Sequence, residues 1–250
     1  MPTELRTERR GSTLVLTMSG PATRNALSEQ LFTAGVEALA VAESDGGVRC
    51  LVLQGDGGHF CAGEDGAGLH EGRAADAAAQ MQRVEHFHHF IEALRACPKP
   101  VIAAVEGVAI GGGFALALAC DLIVAAEDAH FAMARSQAGG SPDGGGRWQL
   151  AQRLPRSLAL ELIWLAEPVS ARQLQQHGVV NRVTTNGNAL GEACALAERL
   201  AQVTPGALES AKELVGQTPR TLAQQLTLER DHLLQNLVRA DSAKAPGLEG

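Results

Sequence analysis

Residues 101–126 read VIAAVEGVAIGGGFALALACDLIVAA, and no other stretch restricts the fold as much. A β-branched run at 101–105 passes through three consecutive glycines into an apolar helix at 113–119 and leaves as a second strand at 121–126. A helix this short and this apolar predicts a wholly buried crossover between strands of one sheet. Glu106 and Asp121 interrupt the segment, and the uncharged run between them falls short of the ~20 residues a membrane span requires. The chain is therefore expected to be α/β, without a membrane partner.

The flanking sequence extends this pattern. Residues 13–17 (TLVLT) and 48–54 (VRCLVLQ) are strand-like and bounded by glycines. Between them Ser28 can cap a helix running toward Glu43, with Leu31, Phe32, Gly35, Leu39 and Ala42 at core-facing spacing. A second helix is predicted from about 74 to 96, stopped by Pro98 and Pro100. Strand and helix units in this order predict a layered core with helices over its sheets. From 157 onward the pattern is mostly helical, at 158–165, 170–176, 188–202, 205–215 and 218 to about 238. A strand is predicted at 179–183, and Pro168, Pro205 and Pro219 are placed at helix starts. The last helix carries Leu222, Leu226, Leu233, Leu234 and Leu237, more apolar surface than a lone terminal helix can hide, and the chain after Ala240 is expected to be disordered.

Composition narrows the function. The 250 residues fit one large domain, or one domain with a small appendage. Aromatics are 3% with no tyrosine, which argues against a base-stacking surface, and a formal charge of −7 argues against a nucleic-acid groove. Cys50, Cys61, Cys97, Cys120 and Cys194 are odd in number and without CxxC spacing, a pattern of a reducing compartment rather than of disulfides or zinc. Residues 1–12 hold no apolar core of the secretory type, so the cytoplasm is the expected location.

Two glycine-rich turns carry the chemistry: HFCAGEDG at 59–66, after a strand, and EGVAIGGG at 106–113, which leads from a strand into a helix. Glycine lets a ligand approach the main chain, and the first amides of a helix point outward at the positive end of its dipole. One amide from each turn can clamp an oxygen that gains negative charge, an oxyanion hole. The same GGG also reads as a tight turn before a buried helix. A dinucleotide fold lacks the GxGxxG order, and no phosphate-binding GxxxxGK[ST] occurs.

PATRNALS at 21–28, FCAGED at 60–65 and KPVIAAVEGVAIGGGFALALACDLIVAAEDAHFAM at 99–133 resemble the crotonase (enoyl-CoA hydratase/isomerase) superfamily, in register over nearly the whole chain. The resemblance implies a crotonase-like spiral of ββα units over 1–195 and a helical trimerisation region over 196–250, giving trimers often paired into hexamers. It implies an acyl-CoA thioester substrate, with coenzyme A entering as part of the substrate and no separate cofactor. Carried over by position, the oxyanion amides are those of Glu64 and Gly112. Arg24, Ala26, Ala62 and Asp65 fall where the family lines its CoA site, and Lys212 is a further candidate for a CoA phosphate, although lysine on a solvated helix face is commoner.

The hydratases of this family use two glutamates, and here Ala115 and Arg135 occupy those positions. Another carboxylate, Asp143, stands in SPDGGGRW at 141–148, a strong turn signal before a helix, where an aspartate often serves only as a cap. The pattern resembles family members that use one aspartate, including double-bond isomerases and a ring-epoxide isomerase. His88, in HFHHF, falls in register with the histidine of the 4-chlorobenzoyl-CoA dehalogenases, whose aspartate nucleophile aligns with Asp143; on residues alone His86, His88 and His89 read as a polar helix face. The leading expectation is double-bond isomerisation through a thioester enolate. Hydration, dehalogenation, thioester hydrolysis through Asp143 and His88, and a non-catalytic acyl-CoA-binding protein stay open. No metal site is expected, because the three histidines are too close together to converge on one helix face.

Overall fold

A computed structural model of the chain describes residues 2–64, 77–133, 144–216 and 221–244. Six strands form the main sheet in the order β1 (Glu4–Arg10), β2 (Thr13–Ser19), β3 (Cys50–Gly55), β4 (Val101–Val105), β6 (Leu122–Ala126) and β9 (Arg182–Thr184). The β1–β2 pair is antiparallel and the remaining pairs are parallel. A smaller sheet orders β5 (Val108–Ile110), β7 (His130–Ala132) and β8 (Val169–Ser170).

Consecutive segments feed both sheets. β4 is followed by β5 and then helix α3 (Gly112–Ala119), and β6 is followed by β7. After β3 the chain makes an isolated parallel bridge between Cys61 and Ala109, extending the smaller sheet before helix α2 (Ala77–Ala96). This is the ββα spiral that the sequence resemblance implies.

Continuous apolar runs appear where a strand is covered on both faces. In β3, Leu51 and Leu53 join the cluster that includes Leu16, Met18, Phe60 and Phe90. Cys50 and Val52, on the opposite face, pack with Ile102, Ala104 and Val124 against Ala189, Ala193, Leu196 and Ala197 of helix α7 (Ala189–Leu200). The sequence boundary after 195 thus falls inside a helix that lies on the sheet. Helix α1 (Glu29–Ser44) is capped by Ser28, whose hydroxyl accepts from the Leu31 amide, and it buries the five residues expected of it. α2 is pressed against α1 through the Phe32 and Phe87 rings, 5.1 Å between centroids, and through Phe90, which lies over Gly35.

Three local expectations are corrected, and strand β1 adds to them. β1 was not anticipated, because ELRTERR is a largely exposed edge strand paired on one side, with no apolar alternation to betray it. Pro168 precedes β8 rather than a helix, since a Ser170–Gln173 capping box sets the start of α6 (Ala171–Gln176). The strand expected at 179–183 starts at Arg182, because the amides of Val179 and Val180 close α6 by bonding to the Leu174 carbonyl. The last helix, α9 (Leu222–Lys244), continues past Ala240 to Lys244. Between these lie α4 (Gly146–Arg153), α5 (Arg156–Leu165) and α8 (Pro205–Gly216).

Candidate active site

Residues 24–27, 61–64 and β5 run side by side. The Ala62 amide donates to the Arg24 carbonyl at 2.9 Å and the Leu27 amide to the Gly63 carbonyl at 2.8 Å. On the other side the Cys61 amide donates to Val108 and the Ile110 amide to Cys61, both at 2.9 Å. The two glycine-rich turns are therefore adjacent strands of one ribbon, and α3 begins at its end.

Close approach explains the glycines. Gly63 has φ +82°, and a Cβ there would lie 2.4 Å from the Ile110 carbonyl oxygen and 3.5 Å from the Gly112 amide nitrogen. A Cβ on Gly113 would lie 2.4 Å from the Cys61 carbonyl oxygen. Gly112 is the first residue of α3, so its amide has no partner within the helix and stands at the positive end of the helix dipole. Glu64 is half-buried, directly after Gly63, and pairs with Leu27 in a parallel bridge. The structure thus brings the main chain of the two turns together, with residues 63 and 112 in near contact.

Asn25 organises this corner, a role its sequence did not reveal. It is fully buried, its Oδ1 accepts from the Gly20 amide at 2.9 Å, and its Nδ2 donates to the carbonyls of Asp56 and His59, each at 2.8 Å. Arg24 and Asn25 both hold left-handed backbone, with φ of 50° and 58°. Asparagine tolerates that conformation, and for arginine it is a strain of the kind kept at functional sites. The Arg24 side chain is exposed, Ala26 is 6% exposed and Ala62 is half-buried; Arg24 and Ala26 belong to the outer segment of the ribbon and Ala62 to its middle one.

Of the other polar groups near the turns, some are already engaged. The Glu106 carboxylate accepts from the amides of Gly187 and Ala189, capping α7. Burial pushes the Cys61 thiol up to about 12, which removes it as a nucleophile at neutral pH. From α2, the Phe87 ring faces Gly112 and Gly144, and the Arg83 guanidinium donates to the Leu27 carbonyl at 2.9 Å. His88 and His89 are exposed on α2, while His86 is half-buried with an Nδ1 that has no partner. Ala115, one turn into α3, is fully buried beneath the turn that opens α4: a Cβ on Gly144 would lie 3.1 Å from its methyl, and one on Gly146 3.4 Å. Asp65, Arg135 and Asp143 lie outside the described residues.

Lys212 lies at the other end of α3 from the two turns. Its Nζ is 2.9 Å from Asp121 Oδ2, just past the C-terminal end of α3 and about 12 Å of helix away from Gly112. There Arg95 closes α2 and stacks on Trp148, Arg153 closes α4 and donates to the Leu118 carbonyl, and Lys212 reaches the Leu94 carbonyl. These cations answer three helix C-termini and one half-buried carboxylate, which accounts for their gathering around a 600 Å³ cleft. Among the described residues no group of three or more His, Cys, Asp or Glu is placed to hold a metal ion, and no helix is long and apolar enough to cross a membrane.

Comparison with known proteins converges on the same reading. The enoyl-CoA hydratase/isomerase family model matches residues 8–250. The 2,3-dehydroadipyl-CoA hydratase of Escherichia coli (strain K12) is 34% identical, covering 98% of this chain and 94% of the relative. The 1,2-epoxyphenylacetyl-CoA isomerase of the same organism is 35% identical, covering 88% and 84%. The crystal structure of an enoyl-CoA hydratase from Polaromonas sp. JS666 superposes with a TM-score of 0.92 at 46% identity, covering 96% of this chain and 94% of that one. With its spiral of strands and its two glycine-rich turns folded into one ribbon, the chain belongs to the enoyl-CoA hydratase/isomerase family of the crotonase superfamily.

Proposed function

We propose that this acyl-CoA enzyme shifts a double bond, or rearranges a related unsaturated acyl group, through a thioester enolate. The amides of Glu64 and Gly112 hold the thioester oxygen as it gains negative charge, and removing one such donor costs on the order of 3 kcal/mol of transition-state stabilisation. Asp143 takes a proton from one carbon of the acyl chain, the electron pair moves into the thioester carbonyl, and the carboxyl, after exchanging its proton with solvent, protonates a second carbon as the enolate collapses. One carboxylate serves both steps. Arg24, Ala26, Ala62 and Asp65 line the CoA side, with the Arg24 guanidinium suited to a phosphate.

The packing of Ala115 carries this reading. The position of the family's first glutamate is an alanine closed over by Gly144 and Gly146, so hydration with two carboxylates has no second group there. The residue joined to Gly144 is Asp143. The exposure of His88, one residue and about 100° of helix from the inward-facing Phe87, favours Asp143 acting alone over covalent Asp143/His88 catalysis. We further propose that the α9 face, with Leu226, Leu233 and Leu237 exposed, joins copies of the chain into trimers or hexamers.

The test is a panel of enoyl-, aryl- and hydroxyacyl-CoA thioesters in deuterated water, read by mass spectrometry and NMR. Isomerisation incorporates solvent deuterium without net addition of water. Asp143→Asn should abolish turnover while CoA-ester affinity is kept. Full activity in that variant refutes the mechanism, solvent oxygen in the Asp143 carboxylate identifies covalent catalysis, and binding without turnover across the panel identifies an acyl-CoA-binding protein.

A further inference from the structure

We infer that Arg83 is a positioning residue for the amide pair, an inference that rests on the oxyanion reading above. The key residue is Leu27, which touches both glycine-rich turns and α2. Its amide bonds to the Gly63 carbonyl at 2.8 Å, its backbone bridges Glu64, and its carbonyl accepts from Arg83 Nη2 at 2.9 Å. Its side chain lies so close to Gly112 that a Cβ there would be 2.6 Å from Leu27 Cδ1. Leu27 is 3% exposed, so this residue is fixed between the turn that carries Glu64 and the first residue of α3.

The Arg83 bond ties that keystone to α2. Charge-assisted bonds from guanidinium are the stronger kind, and this one ends on the main chain rather than on a mobile side chain. It is not what keeps α2 in place, because Phe87 against Phe32 and Phe90 over Gly35 already hold α2 on α1. What the bond adds is a fixed height of the 24–27 strand relative to α2, whose Phe87 ring also abuts Gly112. Both amide donors are thereby referred to one helix. Preorganised donors work because they need no rearrangement as charge develops, so a small drift of Leu27 weakens the pair without unfolding anything.

The probe is acetoacetyl-CoA, a β-keto thioester whose enolate absorbs in the near ultraviolet and needs no turnover to report on the oxygen-binding amides. In the wild-type protein the bound thioester should enolise at lower pH than the free one. In Arg83→Met the apparent pKa of the bound thioester should rise by about one unit, a tenfold loss of enolate stabilisation, with melting temperature and thioester affinity little changed. Arg83→Gln, too short to reach the carbonyl, should match it. Arg153→Met, which breaks a bond at the far end of α3, should lower the melting temperature and leave the enolate pKa alone. A wild-type enolate shift that survives intact in the soluble Arg83 variants overturns the positioning role. Absence of any shift in the wild-type protein overturns the oxyanion reading, and this inference with it.

Discussion

Ala115 and Gly144 close against each other: a Cβ on Gly144 would stand 3.1 Å from the Ala115 methyl and 2.5 Å from Phe87 Cε1. At position 115 the turn that follows Asp143 takes the space a longer side chain would need. Ala115→Glu should therefore not install hydratase activity. It forces a carboxylate into a fully buried, close-packed site, and overpacking together with an unpaired charge should cost at least about 3 kcal/mol. Urea denaturation measures the loss, and a crotonyl-CoA hydration assay should stay at background.

Asn25 offers a sharper test of how the proposed CoA edge is built. Asn25→Ala leaves the Gly20 amide and the carbonyls of Asp56 and His59 without their buried partner, and also places alanine at φ 58°. A loss of about 2–4 kcal/mol is expected from denaturant melts. Thioester affinity should fall as well, because Arg24 and Ala26 flank this residue. Asn25→Asp keeps the acceptor for Gly20 but turns a carboxylate oxygen toward two carbonyls, so it should rescue little.

How much of this was legible in the sequence depends on whether a residue's role is local. The GGG turn, the buried crossover helix and the Ser28 cap are short-range signals, and the structure has them where the pattern put them. Arg83 and Asn25 act on main-chain atoms far away in sequence, at Leu27 and at Asp56 and His59, so no spacing rule could mark them. β1 was invisible because an edge strand facing water on most of its surface has no apolar alternation. The partner of Lys212 was hidden for a related reason: the pattern shows a lysine on a helix, while its meeting with Asp121 is set by the fold.

That meeting predicts a pH signature. Burial raises the Asp121 carboxyl above its ordinary 3.8, opposed chiefly by Lys212. A raised folded-state value means that ionising the carboxyl weakens the fold, with the penalty absent below about pH 3.8 and growing as pH rises through the folded value. Lys212→Met removes the main opposing charge and raises that value further. The variant should lose about 1–3 kcal/mol at pH 7 and much less near pH 4, measured by urea melts at both pH values. CoA-ester affinity should be unchanged, whereas a selective loss of affinity at neutral pH with stability intact would return Lys212 to the CoA phosphates.

The last helix carries the clearest prediction about assembly. Leu222, Leu226, Leu233 and Leu237 repeat at intervals of four, seven and four residues, which places them on one face of α9, and each is more than half exposed. Leu234 and Val238 widen the stripe to a patch of the sort that marks an interaction surface. If copies of the chain meet there, the wild-type protein should scatter light as a trimer or hexamer at micromolar concentration. Leu226→Asp combined with Leu233→Asp should drive it toward the monomer. Those residues already face solvent in the isolated chain, so the far-ultraviolet circular dichroism of the variant should change little, and a change in mass without loss of helix separates a broken interface from an unfolded protein. A wild-type protein that is monomeric under these conditions removes the trimer proposal and leaves the stripe to another partner.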